Sequence, residues 1–189
     1  MLNERSLLSQ FLHFVAATVA SLMVFSLYSI VDGLFVARGV GEYAMSAVNL
    51  AVPFINLLFS IAVIFAVGTS TIIAYLLGQG NPQSANRLFS QNLVTLAVIG
   101  ATISILVMAF TEPFALLLGA NADTLEYTIH YLHGLAPFAV CFMISYNLEV
   151  LVKTDGRPRM ALVTVCVGCA TNCLLDYLAI FHWDMGIWG

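Results

Sequence analysis

Hydrophobic residues in this chain come in long runs, and polar residues gather between them. Runs of about twenty apolar residues suit helices that cross a bilayer. Five such runs are read here, at roughly 7–37, 44–77, 88–110, 124–152 and 160–182. The breaks "RGVGEY", "GQGNPQSANR", "TEPFALLLGANADT" and "KTDGRPR" are rich in turn-forming Gly, Pro, Asn and Asp. A strand-built barrel would alternate apolar and polar residues in short segments, and no such alternation is visible. Several runs exceed the length a span needs, so tilt or extension beyond the lipid is expected. Pro53 and Pro137 fall inside runs, where a missing N–H and the ring kink a helix. After the fifth run comes "HWDMGIWG", read as the start of a sixth helix. The expected fold is an all-α polytopic bundle of five transmembrane helices plus that start.

Composition agrees with the pattern. Of 189 residues, 61% are hydrophobic and 8% charged, against about 25% charged in a soluble domain. Mean hydropathy is +0.97. A formal net charge of −4 argues against a nucleic-acid partner. The first run is too long for the apolar core of a signal peptide, and no small-residue cleavage site follows it. Lys and Arg are unevenly shared between alternate loops. One set holds Arg5, Arg87, Lys153, Arg157 and Arg159; the other holds Arg38 with Glu42, Glu112, Asp123 and Glu126. The positive-inside bias then puts the N-terminus in the cytoplasm of a multi-pass cell-membrane protein. Trp183 and Trp188 suit an outer aromatic belt.

Candidate chemistry lies with the polar residues inside the runs. An Asp at the centre of a bilayer helix costs about 2.5–3.5 kcal/mol and usually faces a bundle interior or an ion path. Asp32 precedes Arg38 by six residues, and Asp176 precedes Trp183 by seven. At a helical rise of about 1.5 Å per residue, both sit about 10 Å below the outer surface. Asn172 is one turn deeper than Asp176 on its helix, and Tyr28 one turn below Asp32. Asn49 and Tyr131 reach similar depth. Two carboxylates and several oxygen-bearing groups can thus share one level, although each Asp could instead be an isolated interfacial residue. Two metal readings compete with plainer ones. Cys166, Cys169 and Cys173 share a helix face, as do Glu126, His130 and His133. Apolar packing accounts for the cysteines, and an interfacial position for the histidines.

These residues also carry a resemblance. The blocks "YSIVDGLFVARGVGEYAMSAVNLAVPF", "GTSTIIAYLLGQGNPQSANRLFS", "LVKTDGRPRMALVT" and "TNCLLDYLAIF" resemble the multidrug and toxic compound extrusion (MATE) family, in order and over nearly the whole chain. The resemblance implies a transporter rather than an enzyme, with twelve helices in two lobes, of which this chain would be an incomplete N-terminal lobe (1–189). The second lobe is expected in cis. Inward flow of H⁺ or Na⁺ would drive export of amphipathic, often cationic drugs, with no other cofactor. The family's cation site maps onto Asp32, Asn172 and Asp176, with Tyr28 matching a tyrosine one turn before the first aspartate. Tyr131 is a further match on the fourth helix. A proline that some members carry in the first helix is absent here. Other classes weighed are a truncated remnant or half-transporter that needs a partner, and an intramembrane aspartyl protease. The protease reading lacks its motifs, because the contexts here are Val-Asp-Gly and Leu-Asp-Tyr.

Overall fold

The computed structural model describes the backbone of residues 4–39 and 42–182, with all side chains there except those of residues 4–8, 10, 13, 14, 17, 32, 36–39, 44, 180 and 181. The stretch read as the start of a sixth helix therefore lies, apart from His182, outside the described residues. So do Trp183 and Trp188.

Among the described residues every regular element is helical. The order is α1 (Glu4–Gly39), α2 (Glu42–Gly78), α3 (Pro82–Ala109), α4 (Thr111–Leu117), α5 (Leu125–Leu135), α6 (Ala139–Thr154) and α7 (Pro158–Tyr177). A 3₁₀ turn, Ala136–Phe138, joins α5 to α6, and a π-helical turn, Leu178–His182, follows α7. Five segments are long and apolar enough to cross a membrane, with α5 and α6 together forming the fourth. The five runs read from the sequence are all present.

Their boundaries differ in two places. The third helix begins at Pro82 rather than near residue 88. Asn81 caps it, its side chain accepting from the Ser84 N–H at 3.1 Å, and Pro82 fills the first turn, where no N–H is needed. The segment "TEPFALLLGANADT", read as a break, contains the short helix α4. Thr111 anchors its start, donating to the Val107 carbonyl at 2.8 Å, while Phe114 packs edge-on against Phe54 of α2.

The prolines behave differently. Pro53 lies within α2, which continues without a break to Gly78. Pro137 lies in the 3₁₀ turn that divides the fourth span. It has no N–H to give the carbonyl four residues back, and the helix changes pitch there. The Ser104 hydroxyl of α3 supports the turn by donating to the Ala136 carbonyl at 2.6 Å. At the other end of α6, Gly156 takes φ +80, a left-handed conformation suited to glycine. The Arg157 N–H then closes on the Val152 carbonyl at 3.2 Å and stops the helix.

A stripe on α2 organises the core. Ala47, Ala51, Phe54, Leu58, Ala62, Ala66, Thr69 and Ile73 are buried at helical spacing. The alanines let neighbouring backbones come close, which is how helices associate where lipid is as apolar as the side chains. Against the stripe pack α3, α5 and α6. Their buried residues repeat every turn or two, as in Ala139, Met143, Asn147 and Leu151 of α6. Gly100 of α3 faces α6 so closely that an added Cβ would sit 3.0 Å from the Val140 Cα. The large side chains left on the surface, such as Ile64, Val94, Ile105 and Val163, are apolar and suited to lipid. Helix α1 stands apart from this core: it packs mainly on α7, and Leu22, Met23, Leu27 and Ile30 are exposed along it.

One polar contact lies deep between spans. Asn92 Nδ2 of α3 donates to Asn147 Oδ1 of α6 at 2.6 Å, and both residues are buried. Replacing either by Leu strands the other amide and should cost about 1–2 kcal/mol. The double replacement should cost less than the sum, as read from a double-mutant cycle of reversible unfolding in detergent. Gly100→Leu should destabilise by about 1–3 kcal/mol in the same assay, because the Val140 backbone occupies the space.

Candidate functional site

Helix α7 begins after the Gly156 turn and reaches Asp176 at its second-to-last residue. Asp176 is 9% exposed, the most enclosed carboxylate among the described residues. The backbone changes to the π-helical turn two residues later. Such turns are rare and often occur at functional sites. No residue pattern in the sequence signals this one.

Asp32 lies in the last two turns of α1, and its side chain is outside the described set. Its neighbours fix the level of its backbone. Phe35 and Tyr177 meet with ring centroids 6.3 Å apart. Phe35 is one turn beyond Asp32, and Tyr177 adjoins Asp176. The ends of α1 and α7 that bear the two aspartates are therefore at one height in the bundle.

The remaining candidates divide between two parts of the fold. Tyr28 is half-buried on α1, with its ring 5.9 Å from that of Phe25. Asn172 is on α7 but exposed on the surface of this chain, so α7 buries Asp176 and leaves the residue one turn below it open. Asn49 of α2 is also exposed, while Tyr131 of α5 is half-buried against the core. The stacked rings of Tyr43 and Tyr127, 6.1 Å apart, join α2 to α5 near the start of both helices. Thus Tyr28, Asn172 and Asp176 belong to the α1–α7 pair, and Asn49 and Tyr131 to the α2–α5 contact.

The cysteines and histidines have other surroundings. No group of three or more His, Cys, Asp or Glu able to hold a metal ion occurs among the described residues. Cys141, Cys166, Cys169 and Cys173 are free thiols. His133 Nε2 lies 3.0 Å from Thr111 Oγ1 and ties α5 to the start of α4.

Sequence reasoning overlooked two ionic contacts, one of them between the exposed Arg157 Nε and Asp155 Oδ2 at 3.4 Å. In the other, Lys153 Nζ donates to Glu149 Oε1 at 2.6 Å within α6. The signal was available as an oppositely charged pair four residues apart inside an apolar run.

Five membrane-length helices with carboxylates set into them define a multi-pass helical membrane protein. The family model described as MatE matches residues 17–178. The chain belongs to that family. It is 25% identical over 181 residues to the multidrug export protein MepA of Staphylococcus aureus (strain NCTC 8325 / PS 47), an alignment covering 94% of this chain and 40% of the relative. The protein of the same name from Staphylococcus haemolyticus (strain JCSC1435) is also 25% identical, over 99% of this chain and 41% of its own length. Among solved structures, the MATE multidrug transporter DinF-BH superposes with a TM-score of 0.90 at 26% identity, covering 96% of this chain and 41% of that one. The chain thus spans about 40% of the length of the curated relatives it matches.

The register of α1 on α7 can be checked directly. With the native cysteines replaced by Ser, Phe35→Cys and Tyr177→Cys should be joined by a short bifunctional thiol reagent in native membranes. Cysteines one turn below on either helix should react less, as read by a mobility shift after cleavage between the spans.

Proposed function

We propose that this chain is the first lobe of a secondary transporter that exports amphipathic, often cationic drugs in exchange for H⁺ or Na⁺. The reading is supported by the family and its named multidrug-export relatives. The observation that carries the mechanism is the enclosed carboxylate of Asp176 at the level of the α1 turn bearing Asp32. The second lobe is supplied in cis, and the whole spans the cell membrane with its N-terminus in the cytoplasm. The excess of Lys and Arg in one set of loops supports that orientation.

Two carboxylates in a poorly solvated pocket do not both ionise freely. Either they share a proton, with pKa values that belong to the pair, or a cation lies between them. Asp32 and Asp176 are the coupling acids in this scheme. Asn172 adds a neutral oxygen, of the hard type that Na⁺ prefers. Tyr28, Asn49 and Tyr131 form the supporting polar network. Uptake of the ion removes negative charge, changes how α1 packs on α7 and displaces a cationic drug. The membrane potential adds about 2.3 kcal/mol per charge per 100 mV.

In the full-length transporter, Asp32→Asn or Asp176→Asn should reduce export of a fluorescent cationic dye from cells about tenfold or more, while membrane insertion stays normal. Export at the unmodified rate by either variant would remove that residue from the coupling role.

A further inference from the structure

Glu149 is a carboxylate within the fourth span that the coupling scheme does not use. It lies in the last two turns of α6, paired with Lys153. The pair is largely withdrawn from water, with the Lys153 side chain 11% exposed and that of Glu149 24%. Taking two charges out of water is costly. An i,i+4 pair on one helix also ties no second helix into the bundle. Within its own helix such a pair contributes little.

A cavity of about 450 Å³ lies beside Glu149, between α1, α6 and α7. That is within the range of small-molecule sites, about 300–1,000 Å³. Phe25, Phe142 and Tyr146 give it aromatic walls. Tyr146 is held in place edge-on by Phe59, with centroids 4.8 Å apart. Of the polar lining groups, the Thr164 hydroxyl is already committed to the Met160 carbonyl at 3.0 Å. Glu149 is the one formal charge among the described lining residues. One carboxylate among aromatic faces recognises a bulky monovalent organic cation, through ion pairing and cation–π contact. A small hard cation would need several oxygens, and an anion would find no cation among the lining residues.

Lys153 completes the arrangement. It occupies Glu149 Oε1 and stands one residue before the end of α6. A lysine there can extend past the helix end, where water receives its ammonium. A ligand cation that replaces it on Glu149 leaves the cavity with the same net charge. The exchange requires no uncompensated charge at either stage.

We infer that the α1–α6–α7 cavity is a binding subsite for a bulky monovalent organic cation, with Glu149 as counter-ion and Lys153 as a tethered cation that holds the carboxylate when the subsite is empty. The inference rests on the efflux reading for its ligand class. It adds a second position to that reading. The α7 residues lining the cavity, Ala161 to Gly168, lie eight to fifteen residues before Asp176, so about 12–22 Å of helix separates them from its level. Both levels are joined by α7, and α1 contributes to both.

The test is equilibrium binding to the full-length protein in lipid nanodiscs in mildly alkaline buffer. The probes are tetraphenylphosphonium and its neutral analogue triphenylphosphine oxide. Glu149→Gln should weaken phosphonium binding about tenfold or more and change binding of the neutral probe little. Lys153→Gln should tighten phosphonium binding several-fold, because the competitor is gone. Gly168→Leu, whose Cβ meets nothing within 4 Å, adds bulk to the cavity wall without touching either charge and should weaken both probes. A Lys153→Gln protein that binds phosphonium as weakly as Glu149→Gln would overturn the inference, since that pattern marks a structural pair. So would unchanged binding in Gly168→Leu, which decides the matter even if Glu149→Gln fails to fold. Export assays on Asp176→Asn are independent of these. Binding that follows Glu149 and Lys153 alongside normal export by Asp176→Asn would overturn only the coupling role, and the reverse pattern only the subsite.

Discussion

Hydrocarbon forms no hydrogen bonds, and polar groups that this chain carries into the membrane gain most by pairing within the protein. The backbone does so by closing its bonds inside helices. Hydroxyl side chains do so locally: Ser60 donates to the Asn56 carbonyl, Thr95 to Gln91 and Thr102 to Val98, all within one turn. Groups too polar for that solution are brought together between spans, as Asn92 and Asn147 are. The same constraint makes the acids informative. A carboxylate inside a span is expensive, so the enclosure of Asp176 and the pairing of Glu149 set these two apart from the exposed acids of the loops.

The fold divides into a tight part and a loose part. In α2, α3, α5 and α6, small residues at the contacts and a glycine against a neighbouring backbone leave little freedom. In the α1–α7 pair, large apolar side chains remain uncovered on α1, and α7 buries little besides Ala161 and Asp176. The residues assigned to ion coupling lie mostly in the loose part. Phe25 of α1 and Thr164 and Gly168 of α7 also line the cavity beside Glu149.

Long periodic features were legible in the sequence. The five spans follow from hydrophobic runs. Local hydrogen bonding was not legible. The six-residue extension of α3 depends on one side-chain bond from Asn81, and α4 depends on how Thr111 and Phe114 meet other helices. Facing was not legible either. Asn172 and Asp176 are one turn apart, yet one is open and the other enclosed, because a helix's burial depends on where its neighbours stop. The family resemblance identified the coupling candidates, but it was silent on Glu149 and gave Lys153, which lies within one of its blocks, no role at a site.

The uncovered surface of α1 bears on how the chain is made. A helix whose apolar side chains need no protein partner can leave the ribosome-bound channel and dissolve in lipid as soon as it is synthesised. Helix α2, with its buried Thr69 and its row of alanines, gains much less from lipid and more from α3 and α6. Helix α7 is translated last of the described spans, and its chief partner is the first. The contact that sets the α1 turn bearing Asp32 level with Asp176 therefore forms only after the four preceding spans have been made.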